Sequence, residues 1–280
     1  MDDATGGRRT TMRLAVLAVA ATLAIAGGIW RMDRPEARKP TPSDDSTVSG
    51  PRDAPGAIEG DTPPHRKERA RMVDEQIADR GIRDAAVLRA MREEPRHLYV
   101  PQEMRHLAYR DHPLPIGHDQ TIAPPYLVAR MTEALALKPG DRVLEVGTGC
   151  GYQAAILDRL VAETYTIEIV KPLCTRARAD LDRMGHGRVR TRCGDGWDGW
   201  PDAAPFDAIL VTAAPKRVPP RLVEQLATGG RLVIPVGDGT QWLLRLRKAP
   251  DGTISTEDLD PVRFVPMTGK AREPTEPADP

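Results

Sequence analysis

The sequence has no excess of either charge: its 280 residues hold 40 Lys and Arg against 40 Asp and Glu. No whole-chain field draws it to nucleic acid or to an anionic lipid surface, so a nucleic-acid partner is not expected. Cysteine is scarce. Cys150, Cys174 and Cys193 form an odd, widely spaced set without a C-x-x-C pair, which argues against a disulfide scaffold and against structural zinc. The six histidines show no H-x-x-x-H spacing, and no bound metal is expected. The apolar share of 40% is ordinary and sufficient for a globular core.

Long apolar runs are confined to one place. Residues 14–30 are apolar apart from Thr22, Gly27 and Gly28, and Arg8, Arg9 and Arg13 precede them. At 17 residues the run lies between a signal-peptide core and a short membrane span. A signal anchor or transmembrane helix is expected there, after a basic segment over 1–13; a cleaved signal is the alternative. Arg31, Arg34, Arg38 and Lys39 follow directly and leave the orientation open. Residues 31–64 contain seven prolines and almost no large apolar side chain, so they cannot repay their ordering entropy and should form a flexible tether. The folded domain is expected over 65–269. The charged, proline-rich residues 270–280 read as a disordered tail.

Within the domain, the apolar spacing predicts helices over 66–80 and 84–92, which would cap a sheet. Residues 110–123 follow neither period and read as a polar loop running into a helix at Pro124 or Pro125, where the free amides and the dipole favour an anion. From Arg142 strand and helix alternate: strands over 143–146, 164–169, 189–192, 207–212 and 231–235, with helices over 152–160, 172–184 and 219–226 between them. This order predicts a doubly wound, mostly parallel α/β sheet with helices on both faces. Two further strands, 241–248 and 259–265, read as antiparallel additions at the C-terminal edge.

The run D-R-V-L-E-V-G-T-G-C-G-Y-Q, residues 141–153, joins the first of these strands to its helix. A dinucleotide fingerprint would place a third glycine where Tyr152 stands; here the pattern is G-x-G-x-G, with Glu145 before it. It offers close backbone approach but little of the amide cradle that a pyrophosphate needs, so a nucleoside without phosphates fits better. Glu168, at the end of the next strand, is positioned to accept ribose hydroxyls. Asp195, between Gly194 and Gly196 after the third strand, could reach an adenine amino group, with Trp197 as an apolar wall.

These residues resemble the protein-L-isoaspartate O-methyltransferase family, within the Rossmann-like methyltransferases that use S-adenosylmethionine. The pieces that carry the likeness are LPIGHDQTIAPPY (114–126), LEVGTGCGYQAAIL (144–157), GDGWDGWP (194–201), PFDAILVTAA (205–214) and PVRFVPMTG (261–269). By position, the resemblance implies that Glu145, Gly147, Thr148, Gly149 and Gly151 border the methionine part of the cofactor. It gives the ribose to Glu168 and the adenine to Asp195 and Gly196. Gln120, Thr121, Ile122 and Ala123 match the substrate loop, and Val265 with Pro266 the segment that flanks an isoaspartyl peptide. The family's usual serine is Ala123 in this chain, and Cys150 replaces a common serine in the glycine loop. His118 is either a solvent-facing loop residue or a donor to the substrate. The implied partners are isoaspartyl-containing proteins and peptides, the implied location is cytoplasmic, and the implied state is a monomer. Because the acceptor carboxylate is already ionised at neutral pH, the reaction needs no general base. Alternatives are a different carboxylate acceptor, or a weakly active or inactive homologue, because Ala123 lacks the hydroxyl.

Overall fold

A computed structural model describes residues 58–273. The basic segment, the apolar run over 14–30 and most of the tether lie outside these residues, as does the tail from 274. Among the described residues, no helix is long and apolar enough to cross a membrane.

The first helix, α1 (Pro63–Arg71), starts with proline where a backbone N–H would be unsatisfied anyway, and continues as π-helical turns over Met72–Ala78. Met72, Val73 and Ile77 are all fully buried. Order begins earlier than the proline-rich composition implied. Arg69 donates to both oxygens of Asp61 at 2.9 Å, and the Gly60 carbonyl accepts from His97 Nε2 at 3.1 Å. Helix α2 (Ala85–Glu93) is N-capped by Asp84, whose carboxylate accepts from the amides of Ala86 and Val87.

The stretch expected to be an irregular loop contains an antiparallel hairpin, β1 (Leu114–Gly117) and β2 (Gln120–Ile122). His118 and Asp119 form its turn with φ of 55° and 56°, the left-handed pair that suits a two-residue hairpin. Pro113 and Pro115 disguise the alternation, yet Leu114, Ile116 and Ile122 are buried. Helix α3 (Pro125–Ala134) follows directly.

The main sheet contains β3 (Arg142–Val146), β4 (Glu163–Glu168), β5 (Arg190–Cys193), β6 (Phe206–Val211), β7 (Leu226–Val236), β8 (Gln241–Lys248) and β9 (Ile254–Val262), in the order β5-β4-β3-β6-β7-β8-β9. Pairing is parallel from β5 to β7 and antiparallel for β8 and β9. The expected α/β class and the antiparallel additions are both present, although β7 and β9 start five residues earlier than the apolar runs indicated. Helices α4 (Tyr152–Asp158), α5 (Lys171–Arg183) and α6 (Pro220–Glu224) connect the parallel strands. The two-residue period divides the core. Leu144 and Val146 pack with Ile209 and Leu232 on one face, and Val143 packs with Leu210, Val233 and Met131 on the other. Both edges are unattractive to a further strand: β5 is four residues long and carries Arg190 and Arg192, and most of β9 is exposed, with Glu257 and Asp258.

One expectation about cysteine is overturned. Cys174 in α5 and Cys193 at the end of β5 form a disulfide, with Cα atoms 5.6 Å apart. The spacing hid it, because the intervening helix and turn bring two distant positions together at the sheet edge. Cys150 remains a free, buried thiol.

Three elements meet at a buried ionic node. His186, just after α5, bonds Asp158 at the end of α4 through Nδ1 (2.8 Å) and Glu94 at the end of α2 through Nε2 (3.0 Å). Arg159 and Tyr99 also donate to Glu94. Burial opposes the charge on His186, but the hydrogen bonds to Asp158 and Glu94 prevail and raise its pKa to about 9. A pKa raised from 6.5 to about 9 stabilises the folded chain fully below pH 6.5, and this stabilisation is lost as pH climbs through 9. The gap in stability between wild type and His186→Asn should therefore be about 3 kcal/mol near pH 6 and should shrink as the pH approaches 9. Denaturant unfolding of both proteins across this range measures it; a gap that is constant with pH would show that the imidazolium is not the clamp.

Candidate functional site

The parallel strands β3, β4 and β6 end at one place, where the winding of the sheet reverses, and a cavity of about 710 Å³ opens there. Its walls are the glycine loop after β3, the strand ends at Glu168 and Thr212, the Asp195–Gly196 turn, the hairpin residues Gln120 to Ala123, and the segment from Arg263 to Thr268.

The glycine loop is fixed from two sides. The amides of Gly147 and Thr148 donate to the carbonyl of Ile167, and Gly149 N–H donates to Glu168 Oε2 at 2.7 Å. Gly147 has φ of 105°, and a Cβ there would sit 2.3 Å from Thr212 Oγ1, which itself donates to the Gly147 carbonyl. No other residue fits that position. At Gly196 a Cβ would lie 2.3 Å from Val146 Cγ1, so the Asp195 turn can approach β3 only because that residue is glycine. Gly151 takes no part in the cavity wall; it starts α4 and lies against Leu181 of α5, which gives it a packing role.

Three carboxyl groups face the cavity in different states. Glu168 accepts from Gly149 N–H and from Val170 N–H at 2.8 Å. Asp195 accepts from the amides of Trp197 and Lys270, so the residues expected to begin a disordered tail instead close over this acid in a short turn, Gly269–Arg272. Glu145 is different. It is completely buried, it accepts one bond from Thr166 (2.6 Å), its register partner on β4, and its Oε1 has no partner. Burial pushes its pKa up to about 8, the Thr166 bond opposes this, and the charge of Glu168 adds to it. An orphaned buried carboxyl oxygen beside an open cavity fits a ligand carrying a cationic or N–H group.

The acceptor side is apolar. Ile122, Ala123, Leu127, Phe264, Val265 and Pro266 line it, with Gln120, Thr121 and Arg263 as polar exceptions. The amide of Tyr126, the first that α3 has to offer, is already taken by Asp111 at 2.9 Å, so the helix start contributes less to anion binding than its sequence suggested. His118 lies in the hairpin turn and is not part of the cavity wall. Trp197 also turns away: its amide is tied to Asp195, its ring lies under Arg217, and Ile169, Val170 and Met267 supply the apolar wall instead. Arg263 and Ile169 are wall residues that sequence reasoning missed, although each directly follows a residue at a strand end. Cys150 is an unreactive wall residue, its thiol pushed up to about 11 by burial.

Asp61, His65 and His97 bring metal-type donors together elsewhere. Arg69 holds both oxygens of Asp61, and Tyr109 and Gly60 occupy the two nitrogens of His97, so the cluster is a hydrogen-bonded anchor for the start of the domain.

Comparison with known proteins agrees with this geometry. A family model described as protein-L-isoaspartate (D-aspartate) O-methyltransferase matches residues 67–272. The protein-L-isoaspartate O-methyltransferase of Opitutus terrae is 57% identical over 203 residues, covering 72% of this chain and 87% of its own length. That of Gloeobacter violaceus is 53% identical, covering 70% of this chain and 97% of its own. Among solved structures, a protein-L-isoaspartate O-methyltransferase superposes with a TM-score of 0.66 at 28% identity, covering 74% of this chain and 67% of the other. A Plasmodium falciparum beta-aspartate methyltransferase in complex with S-adenosyl-L-homocysteine gives 0.62 at 25% identity, covering 71% of this chain and 98% of its own. With this cavity at its strand ends and these relatives across most of its length, the chain belongs to the protein-L-isoaspartate (D-aspartate) O-methyltransferase family.

Proposed function

We propose that the domain transfers a methyl group from S-adenosylmethionine to the α-carboxylate of L-isoaspartyl residues in damaged proteins, which starts their repair through a succinimide. The observation that carries this reading is the single cavity that joins the three carboxyl groups to the hairpin and to the 263–268 segment. Bound there, S-adenosylmethionine supplies an electrophilic methyl group, and its loss to a carboxylate oxygen leaves a neutral thioether. The resulting ester closes to a succinimide more readily than the ionised carboxylate, because the ester can expel methoxide whereas the carboxylate would have to expel oxide, and ring opening returns some normal aspartate.

The protein's own part is positioning and water exclusion. Glu168 has lone pairs left over after its two backbone bonds, which suit ribose hydroxyls; Asp195 and Gly196 suit the adenine. Glu145, with Gly147, Thr148 and Gly149, suits the methionine part, whose ammonium group would satisfy the orphaned Oε1. On the acceptor side Thr121 provides the hydroxyl donor, Gln120 lies beside it, and Ile122, Val265 and Pro266 flank the peptide. No residue has to remove a proton.

Ala123 removes one hydrogen bond to the acceptor carboxylate and leaves the apolar packing of the hairpin intact. Methyl transfer should therefore be slowed and not abolished. Introducing Ala123→Ser should raise kcat/KM for an isoaspartyl peptide about tenfold or more, the worth of one hydrogen bond to a charged group. If wild type binds cofactor and transfers nothing to isoaspartyl, aspartyl or other carboxylate peptides, the chain is an inactive homologue. Transfer to a different carboxylate in preference to isoaspartate would favour the second reading, for which the missing hydroxyl at 123 is the supporting observation.

Glu145 provides a separate readout. Since burial keeps it mostly protonated at neutral pH, a cationic ligand group that prefers the carboxylate form should expel a proton on binding. Calorimetry at pH 7 in two buffers of different ionisation enthalpy should detect that proton with wild type and not with Glu145→Gln, whose affinity should fall about tenfold or more. Equal proton release from both proteins would assign the proton elsewhere.

Residues 14–30 are proposed to tether the domain to a membrane, the support being their uncharged, mostly apolar character and the preceding arginines. The full chain should then sediment with membranes and resist a high-salt wash; recovery in the soluble fraction would count against the tether. The alkylation state of Cys174 and Cys193 in intact cells would report the side, since disulfides persist in oxidising compartments.

A further inference from the structure

Among the described residues, the cavity wall carries three carboxyl groups and a single cation, Arg263. Arg263 is exposed, and among the described residues its guanidinium has neither an ion pair nor a hydrogen bond. Neighbouring cations are already committed: Arg130 bonds Asp260 at 2.8 Å, Arg80 pairs with Asp111 and stacks on Tyr126, and Arg176 donates to the Ile116 carbonyl. Arg263 is the cation left over.

Its backbone is held firmly. The Gln241 side chain accepts from Phe264 N–H (2.6 Å) and donates to the Phe264 carbonyl (3.1 Å). One residue on, Ala214 N–H donates to the Val265 carbonyl, and the Arg130–Asp260 pair ties the end of β9 to α3. The result is an unpaired guanidinium, on a fixed segment, lining the same cavity as Ala123.

The donors near the hairpin are few. One of the two Gln120 Nε2 hydrogens is used on the His118 carbonyl, Tyr126 N–H on Asp111, and residue 123 has no hydroxyl. Thr121 Oγ1 alone cannot satisfy both oxygens of a carboxylate. We infer that Arg263 is a substrate-binding residue whose guanidinium takes one oxygen of the isoaspartyl α-carboxylate, in place of the hydroxyl missing at position 123. The other oxygen keeps its lone pairs for the incoming methyl. A guanidinium is suited to this, being always charged and a rigid multiple donor. This inference rests on the isoaspartyl reading of the site given above.

The test is binding to the full chain saturated with S-adenosylhomocysteine, so that no methyl transfer occurs. Two fluorescent peptides are compared by anisotropy, one with an isoaspartyl residue and one with its α-carboxamide counterpart. Wild type should prefer the carboxylate. Arg263→Gln should reduce that preference about tenfold or more, Arg263→Lys should keep part of it, and both should bind S-adenosylhomocysteine as wild type does. An undiminished preference in Arg263→Gln overturns the assignment, as does a parallel loss of S-adenosylhomocysteine affinity, which would place the effect in the cofactor half or in the fold. A wild type without preference for the isoaspartyl carboxylate would instead sink the functional reading on which the assignment depends, and that result is visible before any variant is examined.

Discussion

The site depends on Glu168 accepting two backbone amides at once. One bond reaches Gly149 in the loop after β3 and the other reaches Val170 at the start of α5, so a single carboxylate fixes two loops that leave neighbouring strands. Its fixed charge also acts on Glu145, one strand away, where it adds to burial in keeping that group protonated. Two acids of the same chemical type thus serve differently because of what surrounds them. Glu168 is a charged brace with its bonds largely made, and Glu145 is a neutral group with an unmet one.

Much of this arrangement can be read from the residues, and the limits have physical causes. Parallel strands buried on both faces are short apolar runs, so β3 and β6 stand out, while β4 shows only Tyr165 and Ile167 between threonines; the acids near their ends can be placed by counting. The G-x-G-x-G run announces close backbone approach, but sequence alone does not distinguish Gly147, which faces the cavity, from Gly151, which faces α5. The hairpin was hidden because Pro113 and Pro115 look like loop residues, and because its two strands are only four and three residues long. The disulfide was hidden because pairing is a property of the folded sheet edge and not of spacing. Occupancy was the least legible feature: nothing local to Tyr126 says that its amide is spent on Asp111, or that Lys270 folds back onto Asp195.

The two halves of the cavity are built differently. The nucleoside half is made of strand ends and their turns, held by the same hydrogen bonds that hold the sheet. The acceptor half is made of a short hairpin and an extended segment, pinned by individual side chains such as Asp111 and Gln241. Substitution in the first half disturbs the fold as well as the ligand. In the second half, a change such as the loss of a hydroxyl at Ala123 leaves the surrounding packing in place.

The sheet edges have a further consequence. An enzyme that acts on damaged chains handles polypeptides with loosened backbone, and an open strand edge would invite them to zip onto it as an extra ladder. The arginines and short length of β5, its staple to α5, and the acidic exposed face of β9 make both borders poor templates. Neither border therefore favours ladder pairing with a client segment.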